Sequence, residues 1–254
     1  MSIKRKICWF SCGAASAVAT KLTLGEPTEK TIRIVYQDTG SEHPDNQRFL
    51  ADCEKWFDQE IEIIKSKKFN SIWEVFDKTK YLVGIAGARC TTELKRKVAE
   101  EYLRWGPDQD EEILGYTVEE KNRIERFRIN NPERIVTCPL IDRGLDKNDC
   151  LAILKRQGIA IPEMYNLGYR NNNCIGCVKG GAGYWNRIRI THPDVFKRMA
   201  AMERKLDVAI NKTYITGERE RIFLDELPPD MGNHKTEPSI SCGLFCDMTH
   251  REIT

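Results

Sequence analysis

No stretch of the chain approaches the roughly 18 consecutive apolar residues that a membrane-spanning helix needs. The first residues do not suit a signal peptide either, because the charged Lys4-Arg5-Lys6 leads into only a short apolar run, Ile7-Cys8-Trp9-Phe10. A helical membrane span is thereby excluded, and the expectation is a cytoplasmic protein with no membrane partner. An excess of either charge is missing too. The 40 Lys and Arg residues are balanced by 38 Asp and Glu, a formal net charge of +2, which neither demands nor excludes a nucleic-acid partner. Short charged clusters at Lys4-Arg5-Lys6, Lys95-Arg96-Lys97, Arg187 with Arg189, Glu111-Glu112 and Glu119-Glu120 read as solvated faces. Internal repeats and low-complexity tracts are also absent, which excludes solenoid and fibrous architectures.

Cysteine is plentiful: ten in 254 residues. In a cytoplasmic chain this points to metal or redox chemistry before a disulfide framework. Cys8, Cys53, Cys138 and Cys150 sit singly in apolar or helical settings and read as packing residues. The informative ones are Cys90, Cys174, Cys177, Cys242 and Cys246.

The chain is organised around Ser11-Cys12-Gly13-Ala14-Ala15-Ser16. An apolar run, Ile7 to Phe10, precedes it as a buried strand, and small apolar residues from Ala17 follow it as a helix. A strand, a tight loop of small residues and a helix together bring a phosphate onto helix-terminal N–H groups. Gly13 permits close backbone approach, and Ser11 and Ser16 add hydroxyls. No Lys follows, so this is not the G-x-x-x-x-G-K-S/T loop, nor is it G-x-G-x-x-G. The same small residues would also ease a plain strand-to-helix turn.

Further strands are expected at 31–36, 61–64 and 113–116, and helices at 44–57, 71–81, 91–105, 118–128, 147–157, 184–189 and 194–206. Such alternation predicts an α/β fold with a mostly parallel central sheet, helices on both faces and ligands at the carboxyl ends of the strands. The loop-like 161–183, holding Cys174-Ile175-Gly176-Cys177, and the Pro-punctuated tail add an irregular Cys-containing C-terminal region. The expected organisation is a nucleotide-binding domain over 1–160, with 161–254 (metal-binding loop, helices and tail) packed on the same unit.

Four segments in order, covering roughly residues 5 to 185, resemble the PAPS reductase-like branch of the PP-loop family, the adenine nucleotide alpha-hydrolases. They are the S-x-G-x-x-S loop at 11–16, Asp38-Thr39-Gly40, Arg89-Cys90 with Leu94-Lys95, and Gly168-Tyr169 followed by Cys174-x-x-Cys177. The resemblance implies phosphate binding by Ser11, Gly13 and Ser16, a nucleotide-side role for Asp38 and Gly40, and charge neutralisation by Arg89 and Lys95. The cofactor would be ATP or a PAPS-like adenine nucleotide, with Mg if ATP is used.

Cys174 and Cys177 form a two-ligand clip for an iron–sulfur cluster or zinc, or a reversible redox pair. In the family's iron–sulfur branch a Cys-Cys pair at the R-C position supplies two more ligands, and here that pair is Cys90-Thr91. The implied 4Fe–4S site therefore uses Cys90, Cys174 and Cys177, with Cys246 or Cys242 as the fourth ligand or with one iron left open. The zinc alternative joins Cys174, Cys177, Cys242 and Cys246.

Two departures from the family pattern stand out. The tail Ser241-Cys242-Gly243-Leu244-Phe245 resembles the reductases' E-C-G-L-H but lacks the Glu and His that flank the nucleophile. At Gly115 to Glu120 the reductases' sulfate-binding Arg and Ser are missing, with Arg123 or Arg126 offered from the next helical turn. The leading expectation is therefore an enzyme that binds an adenine nucleotide and carries out sulfur transfer or adenylation-activated thiolation, with Cys242 and Asp38 as catalytic candidates. It would require a sulfur donor and a nucleic-acid or small-molecule acceptor, and would assemble as a homo-oligomer. One alternative is true reduction of PAPS or APS to sulfite by Cys242 with a thioredoxin-like partner. Another is a non-catalytic, zinc-stabilised nucleic-acid-binding protein using Lys179, Arg187, Arg189, Arg198 and Trp185.

Overall fold

Ile7, Cys8, Trp9 and Phe10 are all buried, as suits a strand in the middle of a parallel sheet covered on both sides. A computed structural model of the chain describes residues 5–84, 87–104, 110–215 and 218–240. The elements run β1 (Arg5–Phe10), α1 (Ala14–Leu24), β2 (Thr31–Asp38), α2 (Asn46–Phe57), β3 (Ile61–Lys65), α3 (Ile72–Thr79) and α4 (Arg89–Thr91). A π-helical turn (Thr92–Arg96) leads into α5 (Lys97–Arg104), β4 (Asp110–Ile113), α6 (Lys121–Asn130), β5 (Ile135–Thr137), α7 (Pro139–Asp142) and α8 (Lys147–Arg156). After these come α9 (Glu163–Asn166), α10 (Ala182–Thr191), α11 (Pro193–Leu206) and the strands β6 (Asn211–Ile215) and β7 (Glu218–Ile222).

The described residues divide between two compact units. The first comprises those of Met1–Asp38, His43–Lys65 and Lys97–Asn172. It contains a five-stranded sheet in the order β3-β2-β1-β4-β5 in which every neighbouring pair is parallel. This is the expected α/β class. One face carries α1, α2 and α8 over a core that includes Phe10, Val18, Ile34, Tyr36, Phe49, Phe57 and Leu154. On the other, Tyr102 of α5 packs edge-on to Trp9 at 6.0 Å and donates to Glu62 at 3.0 Å, with the Arg5 guanidinium 5.7 Å from its ring centre. The strand order reverses between β1 and β4, and such a reversal opens a crevice beyond the strands' carboxyl ends.

Several expectations are corrected. Glu111-Glu112 is not a solvated face, because both residues lie in β4 and are buried. Alternation along the strand sends them to opposite faces, and each meets donors there. Glu111 accepts from Lys30 Nζ (3.0 Å) and Thr137 Oγ1 (2.8 Å). Glu112 accepts from Trp9 Nε1 (2.7 Å) and from both Arg134 Nε and Nη2 (2.7 and 2.6 Å). The strand expected at 113–116 instead ends at Ile113, and β5 and the β6–β7 pair were not anticipated. The helix expected over 91–105 contains the π-helical turn, and Trp105 lies outside the described residues.

The second unit comprises the described residues of Thr39–Glu42, Ser66–Arg96 and Asn173–Thr254. In it α10 and α11 pack through Trp185 and Phe196, whose rings are 6.4 Å apart, and β6 and β7 form an antiparallel hairpin. The fully buried Glu203 of α11 accepts the N–H groups of Ile210 (2.7 Å) and Leu224 (2.6 Å). Burial pushes this carboxyl up to about 7.

Candidate functional site

The 11–16 loop follows β1 at the point where strand order reverses. Cys12 holds a left-handed backbone, φ +59°, a conformation costing a non-glycine residue about 1–2 kcal/mol. It is held by Asn172, whose Nδ2 donates to the Cys12 carbonyl at 2.6 Å and to Asn46 Oδ1 at 2.8 Å. Ser16 Oγ is the hub of the loop. It accepts the N–H groups of Ser11 (3.1 Å) and Gly13 (3.3 Å), lies 3.1 Å from Ser11 Oγ, and donates to the Gly13 carbonyl at 3.0 Å. Ser16 is buried and Ser11 exposed. The Ser16 hydroxyl thus shapes the loop, and Ser11, though exposed, donates its own hydroxyl to Ser16 Oγ.

Gly13 caps the eleven-residue α1. A Cβ on Gly13 would lie 3.2 Å from the Tyr165 hydroxyl, and that same hydroxyl accepts the Ala14 N–H at 3.2 Å. Lys147 donates to the Arg170 carbonyl and Asn171 Oδ1 and stands 5.6 Å from the centre of the Tyr165 ring, with burial lowering its pKa. Gly115, just past β4, presses on the loop from the other side. A Cβ there would fall 2.6 Å from Ser16 Cα, 2.7 Å from Ser16 N and 3.0 Å from the Ala15 carbonyl carbon. Only glycine lets the end of β4 come so close.

Asp38 ends β2 and is half-buried. Of the two cations offered as replacements for the missing sulfate ligand, Arg123 stacks 4.4 Å from the centre of the Tyr116 ring and pairs with Glu120 at 2.7 Å. Arg126 donates to the Asn122 carbonyl of its own helix at 3.3 Å.

The cysteine segment belongs to the second unit. Tyr184 organises the Cys174-to-Cys177 turn: its hydroxyl accepts the N–H groups of Gly176 and Cys177, both at 3.0 Å. Gly176 is left-handed, φ +80°. Cys174 Sγ lies 3.0 Å from Thr39 Oγ1 and 3.8 Å from Glu42 Oε1, and Thr39 Oγ1 in turn donates to Glu42 Oε1 at 2.6 Å. Gly40 (φ +63°) is exposed. Arg89 pairs with the buried Glu93 at 2.9 Å, and Lys95 sits on the π-helical turn.

Among the described residues, no three His, Cys, Asp or Glu side chains form a group able to hold a metal ion. Cys90, Cys174 and Cys177 are therefore not gathered into the implied site, and all three are thiols outside any disulfide. Cys242 and Cys246 lie outside the described residues. The basic surface imagined around Trp185 is not formed as pictured either. Trp185 is fully buried, and Arg189 donates to the carbonyls of Leu224 (3.3 Å) and Leu227 (2.6 Å).

Sequence reading passed over Tyr165, Asn172, Lys147 and Glu42. The signal for Glu42 was its place four residues after Asp38. The other three carry no local pattern, and Asn172 was hidden in an Asn triplet.

The family model of the phosphoadenosine phosphosulfate reductase domain matches residues 5–181 of the chain. An uncharacterized protein of Methanocaldococcus jannaschii is 24% identical over 238 residues, 87% of this chain and 52% of that protein. The chain thus spans about half the length of that curated relative. The crystal structure of PAPS reductase from Candida auris, as a phosphate complex, superposes with a TM-score of 0.47 and 15% identity over 68% of this chain and 82% of that one.

Proposed function

The chain belongs to the phosphoadenosine phosphosulfate reductase domain family, and on that premise we propose that it is an enzyme that binds an adenine nucleotide by its phosphates on the 11–16 loop. The reading rests on one observation: the loop is folded by its own Ser16 hydroxyl at the N-terminus of α1, where strand order reverses. The helix dipole is directed there at any anion placed in the crevice, and the exposed Ser11 stands at the edge of the loop.

We take the nucleotide to be ATP, bound with Mg, and the reaction to be activation of an acceptor for sulfur transfer. An acceptor oxygen bonds to the α-phosphorus as the bond to pyrophosphate breaks, and a sulfide-class donor then displaces AMP from the acceptor. The chain's own contribution is to hold the phosphates through the loop. The lack, between Gly115 and Glu120, of the Arg and Ser that the reductases use for sulfate favours this over sulfonucleotide reduction. Among the described residues no helix is long and apolar enough to cross a membrane.

The test is calorimetric titration with ATP plus Mg, APS and PAPS, followed by assay of sulfite release from APS and PAPS with a thioredoxin-type reductant. ATP binding without sulfite release is the expected result. Sulfite release that disappears in Cys242→Ser would replace this reading with the reductase one.

A further inference from the structure

The Tyr165 hydroxyl is occupied in an unusual way. A phenolic oxygen has one proton and two lone pairs. Here it accepts the Ala14 N–H at 3.2 Å in the first turn of α1, and the Asn172 backbone N–H as well. With both lone pairs engaged, the proton has to point to a third group. Among the described residues the hydroxyl donates no hydrogen bond. Lys147 Nζ stands 5.6 Å from the centre of the ring. The oxygen lies over the loop itself, 3.2 Å from where a Gly13 Cβ would stand. Burial pushes the phenol up to about 12, so it stays a neutral O–H donor across the physiological range.

The phosphate groups of a nucleotide have the chemistry this donor lacks: oxyanions that accept hydrogen bonds at a helix N-terminus. The Ala14 N–H, which would otherwise be one of those helix donors, is already spent on Tyr165. The tyrosine thus substitutes a longer, rigidly aimed O–H for a backbone N–H. We propose that Tyr165 is a phosphate ligand of the 11–16 loop, donating its hydroxyl to a phosphoryl oxygen of the bound nucleotide. This assignment rests on the nucleotide reading above. Nothing in the local sequence marks the residue, since it reaches α1 from 151 positions away.

The experiment is a titration series of adenosine, AMP, ADP and ATP into the full chain and into Tyr165→Phe, which removes only the oxygen. A hydrogen bond to a charged partner is of a size to change affinity about tenfold to a hundredfold. Tyr165→Phe should lose that much for AMP, ADP and ATP while adenosine binds as before. Replacement of Tyr165 by 3-fluorotyrosine, a stronger donor of nearly the same size, should hold or tighten the nucleotides, and it keeps the test open if the Phe variant folds poorly. Equal affinities of wild type and Tyr165→Phe for the nucleotides would overturn the assignment alone. Equal losses for adenosine and the nucleotides would reduce Tyr165 to a structural support. A wild-type chain that binds none of the four would overturn the nucleotide reading together with it.

Discussion

Gly115→Ala adds one methyl group where the chain just past β4 presses on the 11–16 loop. Its carbon would lie 2.6 Å from Ser16 Cα and 2.7 Å from Ser16 N, and both contacts are backbone atoms. Neither can swing aside as a side chain would, so β4 or the start of α1 has to move. Overpacking of this kind costs about 1–3 kcal/mol, and the backbone nature of both contacts puts Gly115→Ala near 3. For a chain of this size that is a fall in melting midpoint of about 6–12 °C. A useful control is Gly144→Ala, at φ +67° with no heavy atom within 4 Å of the added carbon. It meets only the left-handed backbone cost of about 1–2 kcal/mol. Urea midpoints for the two variants, with ATP titrations on each, separate the effects. Gly115→Ala should be the less stable and should lose ATP affinity, whereas Gly144→Ala keeps it. A Gly115→Ala chain as stable as wild type and unchanged in binding would refute the reasoning that close approach at the strand end builds the loop.

Asn172→Ala removes the two hydrogen bonds that hold Cys12 and Asn46 and leaves a buried carbonyl without its donor. The expected cost is about 1–3 kcal/mol in urea unfolding, with ATP affinity falling as Cys12 relaxes. Glu203 makes stability fall as pH rises: its folded carboxyl, raised from 4.5 to about 7, is favoured protonated, so the contribution is full below 4.5 and lost on passing about 7. Urea midpoints across that window should decline in wild type and stay flat in Glu203→Gln. Burial pushes the thiols of Cys8, Cys138 and Cys150 up to about 12 and raises that of Cys53 as well. Mass spectrometry after iodoacetamide treatment of the native chain at pH 8 should therefore find all four unmodified, and rapid labelling at any of them would contradict the packing described.

The parts of this fold visible in the sequence are those that local pattern determines. Ile7 to Phe10, the small-residue loop and the helix after it are contiguous, and their order alone implied a phosphate-binding turn. The α/β alternation followed from apolar spacing. What escaped is set by partners far away in the chain. Glu111 and Glu112 look like surface until Lys30, Trp9 and Arg134 are brought beside them. β5 is three residues long, too short for any periodicity, and exists because β4 offers it an edge. Tyr165 and Asn172 act on residues 151 and 160 positions earlier, and no local signal encodes such a meeting. The Cys174-x-x-Cys177 spacing was plain, but a spacing names two donors and not the company they keep. In the fold, Cys174 lies beside Thr39 and Glu42.

The position of β1 has a consequence for how the molecule is made. Its neighbour β2 arrives soon after it, but Arg5 waits for Asp110, 105 residues later, to complete the middle of the sheet. Closing so long a loop is entropically costly before it is rewarded, and topologies built on such distant pairings fold slowly. The 11–16 loop waits longer still, since Gly115, Tyr165 and Asn172 must each dock on it. During synthesis the residues that begin the site thus leave the ribosome some 160 residues before those that finish it. On the proposed reading, a nucleotide meeting the growing chain would find no cradle until the last of them is in place, and would stabilise the finished fold without hastening its assembly.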